Sequence, residues 1–357
     1  MDAAHQKLAK FNPPNKEFNG NITKMKLLHK IPFNFFQASK LQFFKGYILL
    51  NTGNGIALLE PETYKTIFRQ EFDTDAIITV NKIDEDSLVI AALDKIRIIK
   101  FDEKQTKNIT YEIIQEICDT SLYYAGLILS NNLLLVAGED GKFVFYQLEK
   151  YNTDNKLSKN NLYKKIGEIN NVHNVLEEDL PNIIDLNNGL LLSYTHCGAD
   201  IKICQYDGGF KLVHSLEKYE WDTAELISNK YVILKGLGDP EYSICLFDVE
   251  KLEIVKTWET TIRDIFIQPI SENKFFTGSN ERFAICEIKE ENNEITLKDV
   301  YITDYQNFDI FSYPLVLDEK TFLTCAFDKS NNSDNSDSDD FNALSQREGY
   351  LLVFRCE

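Results

Sequence analysis

The densest run of possible metal ligands is DKSNNSDNSDSDDFNALSQR, residues 328–347, where Asp334, Asp337, Asp339 and Asp340 could offer carboxylate oxygens to calcium. An EF-hand loop needs ligands at fixed alternate positions, a glycine at the sixth and a glutamate at the twelfth, and none of that spacing is met. The Asn, Ser and Asp content buries too little apolar surface to order a backbone, which predicts a disordered acidic loop. Ser336, with Asp339 three residues on, is a candidate phosphorylation site whose added charge would deepen the field already there. His196 and Cys197 share one turn, with Cys204 downstream. Zinc takes about four nitrogen or sulfur ligands at tight spacing, and no further His or Cys stands near in sequence. A Cys–His nucleophile needs a depressed thiol pKa, which nothing local supplies. Acid runs such as Glu177-Glu178-Asp179 are solvated loop charges until a cleft sets two carboxylates in different environments. Phosphate signatures are absent: there is no GxxxxGK[ST], and no GxGxxG that follows a strand and opens a helix. No metal and no cofactor is expected, and no catalytic residue is assigned.

The elements that position these groups follow from composition and periodicity. The chain has 357 residues, 56 acidic against 38 basic, for a net charge of −18. That field opposes any broad contact with a phosphate backbone, so direct nucleic-acid binding is not expected. No apolar run approaches the ~18 to 20 residues of a membrane helix. The start, MDAAHQKLAKFNPPN, has no apolar core of a secretory signal. Seven cysteines, an odd number with no CxxC pair, do not read as a secreted disulfide framework. The expected setting is the cytosol or another reducing intracellular compartment.

A repeat organises the chain. A short apolar run followed by a Gly, Asp or Asn turn recurs as YILLNTGNG from Tyr47, SLVIAALD from Ser87, LLLVAGEDG from Leu133 and LLLSYTHCGAD from Leu190. It continues as YVILKGLGD from Tyr231, KFFTGSNE from Lys274 and TFLTCAFD from Thr321, at intervals of 40, 46, 57, 41, 43 and 47 residues. Each run is followed by a partner such as GIALLEP, KIRIIKFD or DIKICQYD. Runs of four to seven residues rich in Val, Ile, Leu, Phe and Tyr are strand signals, and apolar residues on both faces mark strands sandwiched between sheets. An inner strand precedes each run, as AIITV from Ala76, and an outer one follows, as YKTIFRQ. Four strands per ~40 to 45 residues is the unit of a β-propeller. The seventh copy lacks an outer strand, and MKLLHKI, Met25 to Ile31, has no other partner. An N-terminal strand that closes the last blade removes an open edge. The expected fold is therefore all-β: one seven-bladed propeller of four-stranded antiparallel blades over residues 25–357, with a mobile extension at 1–24 and polar loops at 149–161 and 328–347. Cys204, Cys245 and Cys286, spaced by 41 residues, are expected to fill one recurrent buried slot.

Over residues 25–357 this pattern resembles a degenerate WD-repeat propeller. The Trp-Asp pair of that family corresponds to Phe101-Asp102, Tyr206-Asp207 and Phe247-Asp248, and the turns Gly138-Glu139-Asp140-Gly141 and Gly278-Ser279-Asn280-Glu281 are similar to the family's tight turn. The Gly-His pair is missing from every copy, so the family's network of His, Ser/Thr, Asp and Trp is not expected to be intact. Propellers of other families fit the same pattern. The paired-arginine FRRG signature of phosphoinositide-binding propellers is absent, with Arg69 a lone basic residue in TIFRQE.

The loops joining an outer strand to the next inner strand, with those between second and third strands, form one rim of such a ring. They carry Phe72, Asp73, Asp75, Asp119, Glu177 to Asp179, Tyr219, Trp221, Asp222, Arg263, Asp264, Tyr305 and Phe308. Aromatics set among charges there are the candidate partner-binding residues. The resemblance implies a non-catalytic scaffold, a subunit of a larger intracellular complex, that binds a protein partner, with an acidic field suited to a basic segment. A propeller enzyme with its site at the channel mouth is the alternative, and it requires convergent His, Arg or Glu on inner strands. The five histidines, His5, His29, His173, His196 and His214, are scattered instead.

Overall fold

The computed structural model describes residues 24–33, 41–102, 109–118, 123–138, 141–148, 162–173, 181–195, 200–217, 221–236, 243–259, 266–278, 282–292, 294–304, 308–310, 313–318, 320–328 and 349–357. Among them every element is a β-strand. Strand β1 (Met25–Pro32) precedes seven sheets. Blade one is β2 (Gln42–Phe44), β3 (Tyr47–Asn51), β4 (Gly55–Leu59) and β5 (Thr66–Glu71). Blade two is β6 (Ile77–Lys82), β7 (Ser87–Ala92), β8 (Ile96–Phe101) and β9 (Tyr111–Ile117), and blade three is β10 (Tyr123–Ile128), β11 (Leu134–Gly138), β12 (Phe143–Leu148) and β13 (Tyr163–Ile169). Blade four is β14 (Pro181–Asp185), β15 (Leu190–Thr195), β16 (Asp200–Gln205) and β17 (Lys211–Glu217). Blade five is β18 (Trp221–Leu226), β19 (Tyr231–Gly236), β20 (Ser243–Asp248) and β21 (Glu253–Glu259). Blade six is β22 (Phe266–Ser271), β23 (Lys274–Gly278), β24 (Arg282–Glu291) and β25 (Glu294–Asp304). In blade seven the inner strand is split into β26 (Phe308–Ile310) and β27 (Leu315–Val316), both paired with β28 (Thr321–Asp328), and β29 (Gly349–Cys356) completes the native run. Pro314 lies in the split, and a residue without an N–H cannot carry the ladder through.

The expected closure is present. Strand β1 runs antiparallel to β29 from Met25↔Cys356 to Pro32↔Tyr350. Backbone bonds extend the pairing at both ends, Lys24 N–H to Glu357 O at 3.0 Å and Phe33 N–H to Gly349 O at 2.9 Å. Lys24 thus belongs to the closing strand rather than to the extension before it. Residues 1–23, 149–161 and 329–347, Ser336 included, lie outside the described residues.

Seven buried clusters hold the ring, one at each junction between blades. The seventh joins Leu323, Cys325, Leu351 and Val353 of blade seven to Ile48, Leu50, Ala57 and Leu59 of blade one. Strand alternation explains the doubly apolar runs: Ile48 and Leu50 face blade seven while Leu49 faces blade two. Side-chain amides stitch neighbouring blades. Gln42 Nε2 donates to Val80 O at 2.7 Å and Asn81 Nδ2 to Gly126 O at 2.6 Å between inner strands. Gln115 bonds both the N–H and the C=O of Tyr163 at 2.8 Å.

All seven outer strands carry a β-bulge against the third strand at the same level. The residues left out of register are Leu28, Ile67, Ile114, Ile166, Val213, Val255 and Val300, each of them aliphatic. These bulges also align the blades. Cys204 and Cys286 each follow the bulge and share a slot, whereas Cys245 stands two residues earlier, where Phe247 takes the equivalent place. The common spacing of 41 residues thus does not mean one slot. A shift of two keeps the side chain on the same face, so all three are buried against the preceding blade.

Candidate functional site

Of the rim residues singled out by sequence, Phe72, Asp73, Asp75, Trp221, Asp222 and Phe308 are described, and the rings of Phe72 and Phe308 do not reach solvent. Phe72 is 7 % exposed and sits in the core between blades one and two, its ring 5.8 Å from Tyr111 and 5.7 Å from the Arg97 guanidinium. Phe308 is 9 % exposed in the core between blades six and seven, with the Lys30 ammonium 5.1 Å from its ring centroid. The exposure expected of these two aromatics is therefore corrected: each turns inward because an adjacent apolar cluster can take the ring. Asp73 contributes its carbonyl, which accepts from the Arg97 guanidinium at 2.9 Å, while Arg97 Nε binds Glu116 at 2.7 Å. Asp94 accepts from the Thr74 hydroxyl and from the Asp75 N–H, and pairs with Lys95 at 2.9 Å. Burial pushes its carboxyl up, but the hydrogen bonds from Thr74, Lys95 and the Asp75 amide outweigh that and hold it below its ordinary range. Trp221 and Asp222 open the inner strand of blade five. Asp119, Glu177–Asp179, His196, Cys197, Tyr219, Arg263, Asp264 and Tyr305 lie outside the described residues.

Among the described residues the histidines do not converge. His29 is on outer strand β1 and His214 on outer strand β17. His173 is buried, its Nε2 2.8 Å from Ser193 Oγ. Arg69 is exposed on β5, 3.6 Å from Glu71. Cys204 is fully buried, and burial pushes its thiol up to about 12. Lys235, 1 % exposed on β19, pairs in register with Thr223, whose hydroxyl lies 3.2 Å from the Tyr313 hydroxyl.

The opposite rim holds a cleft of about 570 Å³ built from turns of three blades. Blade one supplies Phe43, the β2–β3 turn Lys45-Gly46, and Pro61, Glu62 and Tyr64 of the β4–β5 turn. Blade two supplies Lys82 and Glu85, and blade seven Val316, Leu317, Asp318 and Thr321. Lys45 and Gly46 have φ of 53° and 80°, the pattern of a two-residue hairpin turn that keeps the strand twist. The β4–β5 turn closes with Tyr64 N–H to Glu60 O at 2.8 Å. This puts Tyr64 at φ 57°, a position Asn or Gly normally fills. Seven non-glycine residues have positive φ among the described residues, and four are Asn; of the other three, Lys45 and Tyr64 line this cleft. Leu252 stands at the matching turn of blade five and packs on its core, whereas the partly buried Tyr64 ring also borders the cleft and lies 5.9 Å from His29. Burial, with the negative charge of Asp318, raises the Tyr64 hydroxyl above its ordinary range.

The charges here are not balanced. Lys45 pairs with Asp86, and Lys82 with Glu85 at 2.7 Å. Glu62 and Asp318 have no cation partner among the described residues. The Asp318 carboxylate accepts a local bond from the Lys320 N–H at 2.9 Å. Phe43, Pro61, Tyr64 and Leu317 give the cleft an apolar side against two unmatched carboxylates. Sequence reasoning missed this site because ring closure alone brings Asp318 beside Lys45. The local signs, a Lys-Gly hairpin turn and the acidic Glu60-Pro61-Glu62 turn, are ordinary turn chemistry in isolation.

No protein-family model matches the chain, and no curated protein matches it. In fold, 1075 chains of solved structures match, so the architecture is widely shared and singles out no one protein. Among them is the crystal structure of Kluyvelomyces marxianus Hsv2, 12 % identical, with a TM-score of 0.51 over 79 % of this chain and 85 % of that one. At that identity the likeness carries architecture alone. Together with seven antiparallel sheets joined by seven inter-blade cores, it establishes the chain as a seven-bladed β-propeller.

Proposed function

We propose that this chain is a non-catalytic protein-interaction scaffold, a WD-repeat-like subunit of a larger intracellular assembly. The observation that carries this reading is the rim cleft, an open, partly apolar recess whose three contributing blades are fixed by buried inter-blade cores. A recess held by such a ring asks little conformational ordering of its own side when a partner docks, which favours affinity. The net charge of −18 adds steering toward a basic partner segment. Two surfaces are available, the cleft and the opposite rim around Trp221, and the mechanism on either is presentation of side chains at fixed separations.

The experiment is affinity capture from native cells with the full chain immobilised, read by mass spectrometry. The comparison arms are Trp221→Ala and the paired variant Glu62→Gln with Asp318→Asn. The reading expects a reproducible partner set that one of these variants depletes while the melting temperature holds. Retention of nothing beyond what an unrelated protein of equal charge retains rejects it.

A further inference from the structure

We infer that the cleft between blades seven, one and two receives an arginine side chain presented by an extended segment of a protein partner. The inference rests on the scaffold reading and adds the chemistry of the occupant. Its volume, about 570 Å³, is that of a recess able to bury several side chains. The cations that line it are already satisfied, Lys45 by Asp86 and Lys82 by Glu85, so an anion meets no free counter-charge there. The solvent-exposed carboxylates of Glu62 and Asp318 have no cation partner among the described residues; Glu62 shares the β4–β5 turn with Tyr64, and Asp318 faces that ring from blade seven. An aromatic face beside two uncompensated carboxylates suits a group that is planar, cationic and apolar along its stem. Guanidinium meets all three conditions: it stacks on aromatic rings, bonds carboxylates through paired N–H groups, and is less strongly hydrated than ammonium. The stem would lie along Phe43, Pro61 and Leu317, as long basic side chains do on apolar surface. The recess is lined by turns at the rim, the side from which an extended segment would present the arginine. The turn backbone bears on this as well. Left-handed residues of large side chain are uncommon, and here the ring so held is partly buried and turned to the recess rather than given wholly to the core.

The test pans phage-displayed random heptapeptides on the full chain and measures an enriched synthetic peptide by fluorescence polarisation. Enriched sequences should share an arginine next to an apolar residue. Replacing that arginine by alanine, or the protein's Glu62→Gln with Asp318→Asn, should weaken binding tenfold or more, and Arg→Lys in the peptide several-fold. Tyr64→Asn, which suits the left-handed backbone while removing the ring, should also weaken it. Affinity should fall as ionic strength rises. Both carboxyl variants retain a side-chain oxygen for the local hydrogen bonds, so melting temperature serves as the folding control. Enrichment of peptides without a basic residue, or binding untouched by the paired variant, overturns the inference. If such peptides instead lose binding only in Trp221→Ala, the cleft assignment fails while the scaffold reading stands. If free arginine amide competes as well as the peptide, the occupant is a small cation and the extended segment is wrong. If no peptide enriches, the inference fails, and cellular capture decides the scaffold reading separately.

Discussion

Two adjacent leucines on the closing strand should respond unequally to the same substitution. Leu27 is partly buried against the cluster that contains Leu352, Phe354 and Cys356, whereas Leu28 is the bulged residue, 37 % exposed and outside the register with β29. A fully buried Leu→Ala change costs about 2–5 kcal/mol, so partial burial puts Leu27→Ala at about 1–2 kcal/mol. Leu28→Ala, with little contact to lose, should cost about 0.5 kcal/mol or less. In a ring of this size each kcal/mol moves the melting temperature by about 2 °C, so the pair should separate by about that much in circular-dichroism melts and in urea titrations of equal slope. The larger perturbation is truncation. Removing residues 1–32 strips Met25, Leu27 and Ile31 from their clusters, about 1 kcal/mol each at half burial, and bares the edge of β29. The expected loss is about 3 kcal/mol or more, with association through the freed edge, while removal of residues 1–20 leaves β1 whole and stability unchanged. Equal costs for the two leucines, or equal melts for the two truncations, would refute closure by this strand.

The buried thiols Cys204, Cys245, Cys286, Cys325 and Cys356 should resist alkylation in the native state while exposed Cys118 reacts, as mass-resolved labelling in a Cys197→Ser background would show. Burial pushes the Cys204 and Cys356 thiols up to about 12, above the ordinary value near 9.0. The stability these neutral thiols contribute is whole below that ordinary value and is lost as pH rises toward about 12. Cys204→Ala should therefore show a shallower alkaline decline by up to ~1.4 kcal/mol per pH unit in denaturant titrations. Gly55→Ala would drive a methyl group into the Gln70 carbonyl across β4 and β5, at a cost of about 2 kcal/mol seen as a lower urea midpoint. Tyr206→Phe removes a hydroxyl that donates to Asp185 at 2.7 Å and lies 2.9 Å from Ser130 Oγ, and should cost about 1–3 kcal/mol in the same assay.

The repeat was legible because second and third strands are buried on both faces, so Leu88-Val89-Ile90-Ala91 stands out against polar turns. Closure was legible for a related reason, since MKLLHKI had the apolar positions of a strand and no local mate. The direction of a loop side chain was not. Phe72 stands between charged neighbours in sequence, and only the position of Tyr111 and Arg97 turns its ring inward. The cysteine spacing misled because an offset of two residues preserves the facing of a strand side chain. The cleft was invisible for want of a local signature, since Lys45, Glu62, Lys82 and Asp318 become neighbours only through ring geometry. Lys235, inside the apolar run YVILKGL, is buried, and nothing in the repeat pattern singled it out.

The recurrent outer bulge has a consequence for life at high protein concentration. A perimeter of seven free strands would otherwise offer neighbouring molecules seven templates for growth into fibrils or stacked oligomers. Interrupting each one after a few residues denies an incoming chain a continuous row of donors and acceptors, and the added twist skews what is left. Each interrupted outer edge is thereby a poorer template for pairing between copies than a continuous strand would be.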